Sequence, residues 1–212
     1  MIRAGFETTD PRTHTRTVVV KGAEETGGRG WVLEVHCPEG APAANPAHVH
    51  ETWVETFEIL EGTAAYLLGG EQRALRKGEN VLMPAGVPHV HPWNTGAHKM
   101  VYRQTNDFGA TTPDTVTEVL GALATLNGLA REGRVGKRGL PKNLLQFVAT
   151  GRIYTKHGVY DAAVPIPHSD PEGARRHTRT TRGSAWVPRR LRSVLAVDQQ
   201  SPNCAGVGGI SG

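Results

Sequence analysis

At 212 residues the chain is long enough for one folded domain with its own core plus an appendage, and 38% hydrophobic content with 26 glycines and 14 prolines marks it as rich in turns. No apolar run approaches the ~18 residues of a membrane-spanning helix, the opening MIRAGFETTDPR lacks the apolar core of an export signal, and two cysteines, Cys37 and Cys204, make no disulfide framework. The net charge of +4 divides unevenly: residues 1–130 carry 10 Lys/Arg against 15 Asp/Glu (−5), and residues 131–212 carry 14 against 5 (+9). A cytoplasmic protein is the expectation.

HTRTVVVKG and GWVLEVHC read as strands separated by the turn-prone AEETGGR. The proline-bearing loop PEGAPAANPA delivers the chain to His48. In HVH, alternation places His48 and His50 on one face of a strand and Val49 on the other. Two imidazoles side by side suit a metal ion, although an isolated pair is more often a solvated edge. ETFEILEG alternates, so Glu55, Phe57 and Ile59 share one face. TAAYLLGGEQRALRKG predicts a hairpin through Gly69-Gly70. NVLMPAGVPHVHPWNTG gives strand, tight turn, strand and turn, and HKMVYRQT gives one more strand. Many short strands punctuated by Gly and Pro indicate an antiparallel sandwich or barrel.

After residue 110 the period changes. Thr112-Pro113-Asp114 is a helix start, and Val116, Val119, Leu120, Leu123 and Leu126 recur at helical spacing toward Arg131. A second helix is predicted from Lys142 to Tyr154. Beyond Gly158 the pattern fails, apart from a short amphipathic piece near residues 186–196. The arginines of GARRHTRTTRG have neither helical spacing nor interleaved aromatics, so a solvated tail is expected rather than a nucleic-acid surface. The expected domains are a barrel over 1–110, a helical extension over 111–157 and a basic, partly disordered tail over 158–212.

A second element joins the histidine pair: Gly78, Pro84-x-Gly86, His89 and Asn94 follow His48-x-His50, Glu55 and Gly62. Together they resemble the paired motifs of the cupin superfamily, with the Gly69-Gly70 turn in the linker between them. The segment LNGLAREGRVGKRGLPKNLLQF is similar to the helical region that follows the barrel in a group of small bacterial single-domain cupins. The resemblance implies an all-β jelly roll, the cupin β-barrel, with a C-terminal α-helical extension. It also implies a metal held by His48, His50, Glu55 and His89. Four residues separate His89 from Asn94 where three are usual, which predicts a bulge. That leaves His91 open as a substitute ligand or a nearby base.

Three imidazoles and a carboxylate suit one divalent transition metal, with Fe favoured and Mn, Ni, Zn or Cu as alternatives. The leading functional reading is an enzyme acting on a small, aromatic or enolisable molecule by dioxygenase-type chemistry, with His91 or Glu51 assisting proton transfer. Polyketide cyclase or isomerase chemistry, and a non-catalytic binding role, are the alternatives. Trp53, Phe57, Tyr66, Met83, Trp93, Met100 and Tyr102 are candidates to line the pocket. The apolar run Val18-Val19-Val20 reads as a poorly defended edge strand, and with the apolar helix it predicts a homodimer.

Overall fold

The computed structural model describes residues 2–109, 113–137 and 139–162, so the amphipathic piece near 186–196 and the capping Thr112 lie outside the described residues. Eleven strands form two antiparallel sheets among these residues. The first contains β1 (Glu7–Thr9), β2 (Arg16–Lys21), β3 (Gly30–Cys37), β5 (Val54–Glu61), β8 (Asn80–Met83) and β10 (Met100–Asp107). Its order is β1-β2-β3-β10-β5-β8. The second contains β4 (His48–His50), β6 (Thr63–Leu68), β7 (Glu71–Arg76), β9 (His89–Asn94) and β11 (Val159–Asp161). Its order is β11-β4-β9-β6-β7. Three helices accompany them among the described residues: α1 (Ala23–Thr26), α2 (Pro113–Arg131) and α3 (Leu144–Lys156).

Alternation of side chains builds the core between the sheets. Along β5, Glu55, Phe57 and Ile59 are buried while Thr56 and Glu58 are half-buried, the pattern expected of a strand with one face inward. Phe57, Ile59, Met83 and Met100 are fully enclosed and pack with Trp31, Leu33, Val35, Trp53 and Tyr102. Val116, Val119 and Leu120 of α2 join this cluster, so the apolar stripe of that helix is spent on its own barrel. Gly62 closes the turn between β5 and β6 with φ +83°, and a Cβ there would lie 2.9 Å from the Lys99 carbonyl oxygen. Only glycine meets both demands.

The Gly69-Gly70 hairpin joins β6 to β7 with φ +61° and +86°, the positive pair that matches strand twist. AEETGGR is more than a turn, since Ala23–Thr26 makes one helical turn stopped by Gly27 in the left-handed region. β2 lies between β1 and β3 and is therefore not an edge strand. β11 pairs with β4, an element the sequence pattern does not announce.

Candidate metal centre

The two sheets contribute different chemistry to one point. β4 and β9 are neighbours, with His48 directly opposite His89, so the second sheet supplies a patch of imidazoles. β5 and β10 face it from the first sheet and supply Glu55 with Gln104 and Asn106, Asn106 standing opposite Glu55 in register. Glu55 is 1% exposed, and His48, His50, His89 and His91 are all buried, as in a site that excludes bulk water.

Glu55 is the hub. Its Oε2 lies 3.2 Å from His89 Nε2, 3.0 Å from His91 Nε2 and 3.8 Å from His50 Nδ1. Its Oε1 accepts hydrogen bonds from Gln104 Nε2 at 2.9 Å and Asn106 Nδ2 at 2.6 Å. His48, Glu55, His89 and His91 each place one donor atom within 4.8 Å of the others. His50 stands at the border of that group. Its ring is 4.9 Å from those of His48 and His89, and its buried Nδ1 has no hydrogen-bond partner.

The β9 bulge is present. The register runs Ala65↔Trp93 and then Leu67↔Val90, so Tyr66 stands opposite both His91 and Pro92. The displaced backbone still turns His91 inward, and its ring stacks on His89 at 5.7 Å with an interplanar angle of 8°. The two motifs are tied by backbone as well, since Gly86 N–H donates to the His50 carbonyl at 2.7 Å. Asn94 has a local task. Its amide donates to the Pro38 and His98 carbonyls and its oxygen accepts from Gly96 N–H.

Electrostatics prepare these groups for a cation. Burial, reinforced by the neighbouring imidazoles, holds His48 well below the ordinary histidine range. Burial likewise lowers His50 to about 4 against the pull of Glu55, so both rings are neutral near pH 7. Burial pushes the Glu55 carboxyl upward, but the His91 and His50 rings, with the close approach of His89 and His91 to its oxygen, outweigh it and leave the carboxyl well below its usual range.

Tautomers add a stronger argument. His48 Nδ1 is 2.8 Å from the Pro46 carbonyl and His89 Nδ1 is 2.9 Å from the Val87 carbonyl. A carbonyl only accepts, so in each neutral ring the proton sits on Nδ1 and Nε2 presents a lone pair. In a neutral His89 that lone pair would face a carboxylate oxygen 3.2 Å away, and a cation between them would satisfy both. A divalent transition metal fits this donor set of imidazole nitrogens and one carboxylate oxygen. His91 differs. With Asn45 Nδ2 donating to its Nδ1 at 3.1 Å, the proton sits on Nε2 and is given to Glu55.

A cavity of about 130 Å³ adjoins the cluster. His91 is the cluster side chain that lines it, with Leu33, Val35 and Tyr102 from the barrel and Leu126 and Tyr154 from the helices. Of the aromatic and methionine side chains expected there, Tyr102 lines the cavity; Trp53, Phe57, Tyr66, Met83 and Met100 are core, and Trp93 is half-buried. Glu51 is exposed on the turn after β4, its N–H bonded to the Gly158 carbonyl, apart from the cluster. Gln104, Asn106 and Asn45 carry no motif spacing and escaped the sequence reading; alternation along β10 was the only available signal for the first two. Burial raises the Cys37 thiol to about 11, which keeps it an inert core group.

A family model for the cupin domain matches residues 33–102. Similar solved structures include the cupin domain of Schizosaccharomyces pombe Cnp3, at 17% identity and TM-score 0.39 over 45% of this chain and 65% of that one. A predicted oxalate decarboxylase from Thermotoga maritima shares 16% identity at TM-score 0.43 over 51% of this chain and all 100% of its own. A protein of Thermus thermophilus shares 25% identity at TM-score 0.39 over 46% of this chain and 85% of its own. The chain thus spans about two thirds of the first of these, and no curated protein matches it. The stretch matched by the family model holds the histidines of both motifs, Glu55 and the two-sheet core around them, so residues 33–102 are identified as a cupin domain.

Proposed function

We propose that the protein is a metal-dependent enzyme acting on a small aromatic or enolisable molecule, with dioxygenase-type chemistry as the first reading. One observation carries this: a buried carboxylate ringed by imidazoles, one of which, His91, is also a wall of a small cavity of mixed polar and apolar lining. His48, His50, Glu55 and His89 would hold one divalent metal, iron being favoured for oxygen chemistry. Such an ion supplies Lewis-acid polarisation of a bound oxygen atom and, if iron, a means of using dioxygen.

The chain's own residues do the rest. Leu33, Val35 and Leu126 offer apolar contacts to a ring, beside the polar groups of Asn45, Gln104 and Asn127. The volume of about 130 Å³ is close to the ~150 Å³ of a cavity that takes benzene, which suits a one-ring substrate better than a polycyclic one. His91, hydrogen-bonded to Glu55 on one side and Asn45 on the other, is placed to hold or exchange a proton at the cavity wall. Glu51, out in solvent, is the second candidate for that proton's onward path.

Metal analysis of protein purified without a histidine tag, combined with oxygen uptake on a panel of catechols and small enediols, tests the reading. The expected result is one metal ion per chain in the purified protein, too weakly held to survive purification in His48→Ala, His50→Ala, Glu55→Ala and His89→Ala, while His91→Ala keeps the metal and loses turnover. Full occupancy in His89→Ala with loss in His91→Ala would exchange their roles. Turnover without oxygen uptake would select isomerase or cyclase chemistry, metal without turnover a binding protein, and a metal-free wild type would sink every catalytic version.

A further inference from the structure

The face of Glu55 turned away from the imidazoles is as constrained as the face turned toward them. Gln104 Nε2 donates to Glu55 Oε1 at 2.9 Å and to Asn106 Oδ1 at 2.9 Å, which uses both of its N–H groups. Asn106 Nδ2 donates to the same Oε1 at 2.6 Å. Rotating the Gln104 amide would aim its oxygen at two other oxygens, so the network admits one orientation. All three side chains are buried, Gln104 at 5%, Asn106 at 3% and Glu55 at 1% exposure, and water does not compete for them. β5 and β10 are adjacent with Asn106 opposite Glu55, so the triad is built on strands rather than loops.

We infer that Gln104 and Asn106 are positioning residues that engage Oε1 and leave Glu55 a single oxygen, Oε2, for a cation. This rests on the metal reading above and deepens it. A carboxylate free to turn can chelate through both oxygens and occupy two coordination positions. Held from behind by two amide donors, it occupies one. With three imidazoles, a one-oxygen Glu55 leaves an octahedral ion two positions for substrate and a second small molecule; a two-oxygen Glu55 would leave one. The amides thereby set how many reactants the centre admits.

The test uses the full-length protein, freed of metal and titrated with Co²⁺, and a double-mutant cycle. Gln104→Met removes the donor while keeping the shape of the side chain, and the same change is made in a Glu55→Ala background. The expected result is a loss of Co²⁺ affinity of roughly 10- to 100-fold in the single variant and no further loss in the Glu55→Ala background. Crystals of the Co²⁺ form should show one Glu55 oxygen on the ion. Asn106→Leu is carried through the same cycle, so that a folding failure of one variant leaves the other to decide. Equal losses in both backgrounds, no loss in either, or two Glu55 oxygens on the ion in the wild type would overturn the inference. A wild type that binds no Co²⁺ would overturn the metal reading and the inference with it; wild-type binding indifferent to both amides would overturn the inference alone.

Discussion

His50 sits at the border between ligand and core: 3% exposed, its ring 4.6 Å from Trp53, and its Nδ1 bare of hydrogen bonds. Burial lowers it from 6.5 to about 4, which makes its neutrality a pH-dependent contribution to folding. The unfolded chain takes up this proton below pH 6.5 and the folded chain does not until about 4. Its contribution is therefore complete above 6.5 and is lost as pH falls through that window. The shift corresponds to on the order of 3 kcal/mol. The melting temperature of metal-free protein should fall steeply between pH 6.5 and 4, and His50→Leu should flatten the fall; an equal slope in the variant would place the titration elsewhere. His48-x-His50, Glu55 and His89 were readable because metal chemistry restricts residue type and spacing together. The amides behind Glu55 were not. Asn and Gln are common in any chain, and what distinguishes Gln104 and Asn106 is that two strands nearly 50 residues apart lie in register.

At the scale of elements, strands with one inward face were legible and those defined by their partner were not. β5 announces itself by alternation and β6-β7 by two glycines, whereas β11 is three residues following a helix, too short for any period to emerge. Yet β11 covers the edge of the strand that presents His48 and His50. Glu51 N–H bonds to the Gly158 carbonyl and Ala162 N–H to the Ala47 carbonyl, so antiparallel alternation makes Val49 and Tyr160 the hydrogen-bonded pair between them. Tyr160→Pro removes the central N–H of that pairing. The expected outcome is a melting temperature lower by on the order of 5 °C and weaker metal binding, since β4 is left as an unsupported edge. Metal titration of this variant against wild type checks it, and unchanged affinity would show that β4 needs no outer partner.

The whole molecule joins the helical extension to the barrel from both sides. Glu118 of α2 bonds Lys156 Nζ at 2.8 Å and His157 Nε2 at 2.6 Å, fixing the end of α3 from which β11 departs onto β4. The cavity likewise needs Leu126 and Tyr154 from helices that the sequence places far from Val35 and Tyr102, so its walls were beyond a reading by local pattern. Assembly is the remaining question at this scale, and the homodimer expected from the sequence has to be argued afresh. β1 pairs with β2 over Arg16–Val18, and α2 turns its apolar stripe to its own barrel. Among the described residues the large exposed apolar side chains are concentrated instead at α3 and the loop before it: Leu140, Leu144, Leu145, Phe147 and Val148, with Leu145 79% exposed. Exposed apolar side chains on one helix can be covered by the same helix of a second copy across a two-fold axis. The expected outcome of sedimentation at low micromolar concentration is a dimer, returned to monomer by Leu145→Lys with Phe147→Glu. A wild-type chain that sediments as one species near 22.8 kDa would sink the dimer.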